Sequence, residues 1–266
     1  MSVDYILVVG GAGYIGSHMV SYLQEHDVNV VVLDDLSSGH RDALPNSVVF
    51  YQGDLANTQL LSTIFSTYNI STVMHFAACI EVGESVVDPA KYYQNNVVKT
   101  LALLDCMRQH NVNRFIFSST AAVYGNPQYI PIDEDHPKVP INPYGISKWM
   151  VEQCLESYSK AYGLQYVALR YFNAAGAAPN GHLAERHDPE THIIPLLLKV
   201  ANAKRDRFSI FGNDYATEDG TCVRDFIHVI DLCSAHLAAL DYLIKGGVSD
   251  AFNVGTGSGI SVKTIV

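Results

Sequence analysis

Near its amino end the chain reads Tyr5-Ile-Leu-Val-Val-Gly10-Gly-Ala-Gly13-Tyr-Ile-Gly16, an apolar run followed by glycines at three-residue spacing. The run predicts a buried strand, and residues 16–25 have the period of a helix. Glycine allows a tight turn and a close approach of backbone amides to a pyrophosphate, whose charge the helix N-terminus favours. A glycine-rich turn alone can be purely structural, but placed between strand and helix it predicts a dinucleotide site at Gly10, Gly13, Tyr14, Ile15 and Gly16.

An acidic pair ends the next predicted strand, about 20 residues beyond the glycine loop. A carboxylate at this position can accept hydrogen bonds from an adenosine ribose, and it would repel a 2′-phosphate. No arginine stands beside the pair in the sequence, so we expect NAD rather than NADP. The expected cofactor contacts here are Asp34, Asp35, Leu36, Ser37 and Ser38.

Two further strand ends fit the same ligand. Asp54 and Leu55 follow the third predicted strand, where a carboxylate could receive the adenine amino group, although a plain surface turn has the same spacing. Phe76, Ala77 and Ala78 end the fourth, where small residues allow a cofactor to lie against the backbone. Ligands of open α/β sheets bind at this carboxyl edge.

Short apolar runs alternate with segments of helical period, which is typical of a parallel sheet covered on both faces. We therefore predict an α/β chain with a Rossmann-type, doubly wound parallel sheet. The predicted strands cover residues 5–9, 29–34, 48–51, 72–77, 114–118 and 165–170. The clearest predicted helices cover residues 16–25, 89–109 and 143–161, the last capped by Asn142 before Pro143.

The pattern changes after Tyr171. We assign residues 1–172 to an NAD-binding domain and residues 173–266 to a smaller substrate-binding region interleaved with it. Residues 173–219 are rich in Gly, Pro, Asn and Ala, with a predicted helix at 192–203 and a strand at 208–211, and we expect a substrate lid or pocket there. Residues 251–254 predict a strand and 261–266 the first turns of a helix, so we expect the C-terminal part of this region to be absent.

Composition excludes several classes of protein. Of 266 residues, 48% are hydrophobic and 17% charged, and 17 Lys and Arg stand against 27 Asp and Glu. This balance disfavours disorder, nucleic-acid binding and binding to an anionic membrane surface. The five cysteines predict buried reduced thiols, and the spacing of the 11 histidines predicts no metal site. No basic leader or long apolar span is present, so we expect a cytoplasmic protein.

The segment Tyr144-Gly-Ile-Ser-Lys148 places a phenol and an ammonium on one face of the third predicted helix. A free tyrosine has a pKa near 10, and a neighbouring cation lowers that pKa by favouring the phenolate. We therefore expect Lys148 to make Tyr144 a base. Thr120 ends the fifth predicted strand, where its hydroxyl could bridge a substrate oxygen and the tyrosine.

At this point the sequence closely resembles the extended short-chain dehydrogenase/reductase family, over essentially the whole chain. The segments that carry the resemblance are the glycine loop, Val82-Gly-Glu-Ser85, Tyr92-Tyr-Gln-Asn95-Asn96, Tyr144 to Lys148, Arg170-Tyr-Phe-Asn173, Phe211-Gly-Asn-Asp-Tyr215 and Thr217-Glu-Asp-Gly220 to Val223-Arg-Asp225. The resemblance implies a C4 epimerase that interconverts UDP-galactose and UDP-glucose through a 4-keto sugar, with NAD bound throughout. It implies catalytic roles for Tyr144, Lys148 and Thr120, and a homodimer that pairs through the helices at 89–109 and 143–161.

The resemblance also implies further contacts. Asn95 and Phe172 would join Tyr144 and Lys148 at the cofactor. The implied substrate contacts, with Thr120 and Tyr144, are Asn173, His192, Ile193, Phe211 in the strand at 208–211, and Arg224, which would meet the diphosphate unless it forms a structural ion pair with Asp225.

Two positions depart from the common pattern of the family. Ile80 stands where a lysine often lies near the cofactor phosphates, and His192 stands where asparagine is frequent. A 4,6-dehydratase is disfavoured because Ala121 and Ala122 replace its Asp-Glu pair. An epimerase of another UDP-sugar, N-acetylated or pentose, stays open, as do a simple dehydrogenase and a non-catalytic NAD-binding protein.

Overall fold

A seven-stranded parallel sheet forms the centre of the structure, a computed structural model that describes residues 3–266. The strands, in chain order, are β1 (Asp4–Val9), β2 (Asn29–Asp34), β3 (Val49–Gln52), β4 (Asn69–His75), β5 (Arg114–Thr120), β6 (Gln165–Tyr171), β7 (Asn173–Ala175), β8 (Val223–His228), β9 (Asp250–Val254) and β10 (Gly259–Ser261). The large sheet has the order β3-β2-β1-β4-β5-β6-β9, and a small second sheet has the order β10-β8-β7.

Helices cover both faces of the large sheet. In chain order they are α1 (Tyr14–Glu25), α2 (Thr58–Thr67), α3 (Val82–Val87), α4 (Pro89–Tyr92), α5 (Lys99–Gln109), α6 (Pro143–Tyr162), α7 (Ile193–Ala201), α8 (Val229–Ile244) and α9 (Val262–Ile265). One apolar core contains side chains of α2, α5 and α6, and the other contains side chains of α1 and α8. Two cores separated by a parallel sheet confirm the predicted doubly wound α/β class.

The strand order places the candidate site. It runs from β1 outward to β3 in one direction and from β4 to β9 in the other, so the connections reverse between β1 and β4. A crevice opens at such a reversal outside the carboxyl ends of the strands, and ligands bind there. The glycine loop, the end of β4 and the end of β5 all lie at this edge.

The C-terminal part of the chain returns to the large sheet. β9 pairs in parallel with β6, from Val167 opposite Asp250 to Tyr171 opposite Val254. α8 packs against α1, the helix that follows the glycine loop, and both helices cover the same face of the large sheet. The two parts of the chain therefore share one sheet, and the division at residue 172 stays a prediction.

Two predicted elements differ from the structure. The helix predicted over residues 89–109 is interrupted by a π-helical turn, Tyr93–Val98, which separates α4 from α5. The strand predicted at residues 208–211 is wrong: these residues have no regular structure, and Phe211 is 87% exposed. Apolar residues form a strand only where they pair with another strand, and among the described residues neither sheet includes this segment.

Two predictions, buried thiols and the lack of a long apolar span, can be compared with the structure. All five cysteines are free; Cys106 and Cys233 are buried, whereas Cys79, Cys154 and Cys222 are half-buried, so the prediction of burial is wrong for three of them. Among residues 3–266, no helix combines the length and the apolar character needed to cross a membrane.

Candidate active site

The glycine loop is packed too closely to admit side chains at two of its glycines. Gly10 has φ +76°, and a Cβ there would lie 2.4 Å from the Ala77 nitrogen. A Cβ at Gly16 would lie 2.1 Å from the Gly10 carbonyl oxygen. Gly13 has more room and precedes α1, whose N-terminus has no side-chain cap. The first-turn amides of α1 thus have no side-chain cap, and they lie beside the glycine loop at the positive end of the helix dipole. This arrangement suits a pyrophosphate.

The two carboxylates after β2 have different surroundings. Asp34 is 8% exposed, and its oxygens accept hydrogen bonds of 2.8 Å from the backbone amides of Ala12 and Leu36. Burial raises the pKa of Asp34, and these amides oppose the shift. Asp35 is exposed and accepts a hydrogen bond from the Ser37 amide. Asp34 therefore fixes the glycine loop, while the Asp35 carboxylate stays open to a ligand.

The third strand end carries an ion pair that the sequence analysis did not predict. Asp54 Oδ2 lies 2.6 Å from Lys99 Nζ, and Asp54 Oδ1 accepts from the Ala56 amide at 2.7 Å. Leu55 beside it is buried. Lys99 is far from Asp54 in sequence, so no local pattern could have revealed the pair.

The end of β4 adjoins the glycine loop directly. The amides of Phe76 and Ala77 both donate to the Val9 carbonyl oxygen, at 2.8 Å and 3.2 Å. Phe76, Ala77 and Ala78 are half-buried. The loop and the β4 end thus form one continuous backbone surface, as the small residues predicted.

Thr120 and Tyr144 meet where β5 ends and α6 begins. Asn142 caps α6 by accepting a hydrogen bond of 2.8 Å from the Gly145 amide, which confirms the predicted cap. In the first turn of α6, the Tyr144 side chain lies near Thr120. Burial raises the pKa of Tyr144, and the Thr120 hydroxyl opposes that rise.

Lys148 lies deep under this pair. Its side chain is 2% exposed, its Nζ donates to the Ser118 carbonyl oxygen at 2.8 Å, and Nζ lies 4.9 Å from the centre of the Phe117 ring. Burial lowers the pKa of Lys148 to about 7. The expected lowering of the Tyr144 pKa by Lys148 is therefore not found, because desolvation dominates both groups.

Asn96 connects the end of β4 to α6. Its neighbour Asn95, and not Asn96, was the predicted contact. Asn96 Oδ1 accepts from the Cys79 amide at 2.8 Å, and Asn96 Nδ2 donates to the Cys79 carbonyl oxygen and to Ser147 Oγ, each at 3.0 Å. Asn95 donates to Asn96 Oδ1 at 3.1 Å. Only the tandem Asn95-Asn96 indicated this role in the sequence. No sequence pattern indicated the π-helical turn on which Asn96 lies.

A buried ion pair holds α6 against the sheet one turn beyond Lys148. Arg170 Nη2 lies 2.6 Å from Glu152 Oε2, with both side chains at most 5% exposed. Glu152 also accepts a hydrogen bond from Ser119, which precedes Thr120. Arg170 Nη1 donates to the Tyr124 hydroxyl at 2.9 Å. The network fixes α6, β5 and β6 relative to one another.

The predicted substrate contacts lie on several separate elements. Asn173 begins β7 and donates from Nδ2 to the Asp225 carbonyl oxygen at 2.8 Å. Arg224 is exposed and donates to the Val223 carbonyl oxygen, whereas Asp225 accepts from Thr256 and Gly257, so no ion pair joins Arg224 to Asp225. Phe172, His192 and Ile193 are half-buried, but the exposed Phe211 is not packed into the site.

The segment of residues 176–192, here called the bridging segment, spans from the small sheet back to the cofactor side. Tyr14 in the glycine loop donates from its hydroxyl to the Gly176 carbonyl oxygen at 2.8 Å. Arg186 pairs with Asp42 at 2.7 Å, and Thr191 Oγ1 donates to Glu81 at 2.8 Å. Three separate contacts therefore attach this segment to the NAD-binding part of the chain.

Comparison with known proteins places this arrangement in a family. Residues 6–255 match the family described as "NAD dependent epimerase/dehydratase family". The chain belongs to that family. A relative in it, the UDP-glucose 4-epimerase of Halalkalibacterium halodurans, is 55% identical over 98% of this chain and 78% of its own length.

Solved structures of the family agree with the fold. The UDP-glucose 4-epimerase of Brucella ovis in complex with NAD has a TM-score of 0.96 and 48% identity, over 99% of this chain and 81% of that one. The enzyme of Bifidobacterium longum in complex with NAD+ and UDP has a TM-score of 0.93 and 40% identity, over 98% and 80% of the two chains. The predicted family and the NAD cofactor are confirmed.

Proposed function

We propose that this chain interconverts UDP-galactose and UDP-glucose by inverting the configuration at C4 of the sugar while NAD stays bound. The observation that carries the proposal is the grouping of Thr120, Tyr144 and buried Lys148 at the edge of the sheet where the glycine loop lies. The 55% identity to a UDP-glucose 4-epimerase supports the choice of substrate.

When bound, NAD would supply the acceptor and donor of the C4 hydride, whose return to the opposite face of the 4-keto sugar would invert that carbon. Tyr144 removes the proton of the C4 hydroxyl in the first step and returns a proton in the second. Thr120 orients the C4 oxygen through its hydroxyl, which lies near Tyr144.

Lys148 acts on the cofactor side of this pair. Its ammonium, held by the Ser118 carbonyl oxygen, is one turn of α6 from Tyr144 and can donate to a nicotinamide ribose. With a pKa of about 7, Lys148 can gain or lose a proton near neutral pH. A negative charge on Tyr144 would favour the ammonium form of Lys148.

The cofactor contacts follow from the geometry of the edge. The uncapped N-terminus of α1 and the glycine cradle suit the pyrophosphate, and the open carboxylate of Asp35 suits the adenosine ribose. Asp34 positions the loop in addition to any contact of its own. The remaining proposed contacts are Leu36, Ser37, Ser38, Asp54, Leu55, Phe76, Ala77, Ala78, Asn95 and Phe172.

We propose the substrate contacts in the same way, from the positions of the side chains. Arg224 has no carboxylate partner among the described residues, so its guanidinium can meet a diphosphate. Asn173, His192, Ile193 and Phe211 are proposed to complete the contacts, and residues 173–219 to form the substrate pocket.

A direct assay tests the function. Purified protein is incubated with UDP-galactose, UDP-glucose is measured by chromatography, and free NADH is followed by its absorbance in the same tube. We expect UDP-glucose to form without accumulation of free NADH. Free NADH in proportion to sugar consumed would indicate a dehydrogenase, and no product with NAD bound would indicate another sugar nucleotide or a binding protein.

We further propose a homodimer that acts in the cytoplasm, in galactose metabolism. Val98 beside α5 and Met150 on α6 are 50% and 39% exposed, which suits burial between two copies. The free cysteines suit a reducing compartment. Sedimentation velocity should give a dimer that Met150→Arg weakens, and a monomeric wild-type chain would contradict this assignment.

A further inference from the structure

Two acidic and two histidine side chains converge within the bridging segment. Glu185, His187, Glu190 and His192 each offer one ligand atom, and the four atoms all lie within 4.8 Å of one another. His192 Nδ1 lies 3.0 Å from Glu185 Oε1 and 3.2 Å from Glu190 Oε1. His187 Nδ1 lies 3.2 Å from the same oxygen of Glu185.

Hydrogen bonds within the cluster leave one of these atoms, His187 Nδ1, without a partner despite its proximity to Glu185. His192 Nδ1 carries one proton at most, yet it faces two carboxylate oxygens, of which Glu190 Oε1 also accepts from the His192 backbone amide at 2.8 Å. The side chains of Glu185 and Glu190 are only 8% and 2% exposed, whereas that of His192 is 41% exposed.

We propose that these four residues bind one divalent transition-metal ion, with Zn²⁺ the best match. Imidazole nitrogen and carboxylate oxygen bind Zn²⁺ at about 2.0–2.2 Å, and the ligands at the corners of such a tetrahedron are about 3.3–3.5 Å apart. Three of the six separations in the cluster, at 3.0–3.2 Å, are close to this value, and all six lie within 4.8 Å. One cation would satisfy all four ligand atoms together and neutralise the two buried carboxylates.

The ion would have a structural role and would take no part in the sugar chemistry; His192 would bind it through Nδ1 and keep Nε2 for the proposed substrate contact. The ring of His187 lies 6.4 Å, edge to face, from the ring of Tyr14 in the glycine loop. Arg186, between two of the ligands, pairs with Asp42, and Thr191 binds Glu81. A metal bound here would hold the bridging segment in one conformation over the cofactor side. The histidine spacing did not predict the site, because the ligands come together only when residues 185–192 form a loop.

Metal binding to the purified NAD-bound chain tests the proposal. The protein is treated with a chelator, dialysed against limiting ZnCl₂ and analysed for bound zinc. We expect one Zn²⁺ per chain, with affinity reduced at least about tenfold in Glu190→Gln and in His187→Gln. His182→Gln, an exposed histidine of the same segment, is the matched control and should bind as the wild type does.

Cobalt distinguishes this site from the cysteines and does not depend on the folding of variants. Co²⁺ bound to the wild-type chain should show the visible bands of tetrahedral nitrogen and oxygen ligation. A thiolate-to-cobalt charge-transfer band would place the ion on a cysteine and contradict the proposal. The absence of stoichiometric binding, or equal binding by all the variants, would show that the cluster is an ion-pair network without a metal.

Discussion

Tyr144 is the residue on which the proposed chemistry depends. Removal of its hydroxyl in Tyr144→Phe removes the only proposed base, and we expect turnover to fall by about two to four orders of magnitude. NAD should remain bound at the wild-type level. Turnover is measured with UDP-galactose, and bound NAD after denaturation of the protein.

Tyr162→Phe provides the control for this substitution, because Tyr162 lies on the same helix but is 58% exposed, away from β5. It should retain full activity. Undiminished turnover in Tyr144→Phe would show that the base is elsewhere.

Thr120 is expected to act through its hydroxyl alone. Thr120→Val keeps the shape of the side chain but removes the hydroxyl near Tyr144, so we expect kcat to fall about tenfold to a hundredfold. Thr120→Ser retains the hydroxyl and should recover most of kcat. A Ser variant as slow as the Val variant would assign the loss to packing at the end of β5.

The buried ion pair of Arg170 and Glu152 joins α6 to β5 and β6. In Arg170→Met the carboxylate of Glu152 is left buried and unpaired, and we expect the free energy of unfolding to fall by about 3–5 kcal/mol. Urea unfolding of the NAD-bound protein measures the loss. The double variant Arg170→Met, Glu152→Gln should recover part of it.

An exposed pair on the same helix gives the matched comparison. Lys160 and Glu156 are paired with side chains 74% and 57% exposed, so Lys160→Met should cost less than about 1 kcal/mol. Equal losses from Lys160→Met and Arg170→Met would show that burial of the Arg170 pair has no special effect.

Elements with local signals could be predicted from sequence. β1, the glycine loop and α1 follow from an apolar run, glycines and helical period, and α6 from Asn142 and Pro143. The π-helical turn and the absence of a strand at residues 208–211 could not be predicted, because each depends on contacts distant in sequence. Asn96 bonds to Cys79 and Ser147, and residues 208–211 pair with neither sheet.

The candidate site shows the same limit. The spacing of Tyr144 and Lys148 placed both on one helix face, and the strand end supplied Thr120. The contact of Lys148 with the Ser118 carbonyl and the pair of Lys99 with Asp54 arise only from tertiary packing. The pKa shifts of Tyr144 and Lys148 follow from burial, which spacing does not reveal.

Two buried histidines contribute to the response of the protein to acid. Burial lowers the pKa of His75 to about 3 and that of His236 to about 4. Below the unfolded value of about 6.5, the unfolded chain binds protons that the folded chain does not, so the free energy of unfolding falls as the pH falls toward these values. Each histidine contributes up to about 1.4 kcal/mol per pH unit.

Denaturant unfolding at pH 7, 6 and 5, at constant ionic strength, measures this dependence. The slope against pH should be smaller in His236→Leu than in the wild type, whatever the effect of the substitution at pH 7. His182→Leu, at an exposed position, should leave the slope unchanged. An unaltered slope in His236→Leu would assign acid sensitivity to other groups.

In the proposed mechanism, one hydride leaves C4 of the sugar and returns to the same carbon without leaving the protein. UDP-galactose carrying deuterium at C4 tests this hydride return, with the UDP-glucose product analysed by mass spectrometry and NMR. We expect the product to retain deuterium at C4 and no free deuterated NADH to appear. Loss of the label to solvent, or its recovery in free NADH, would rule out the proposed mechanism.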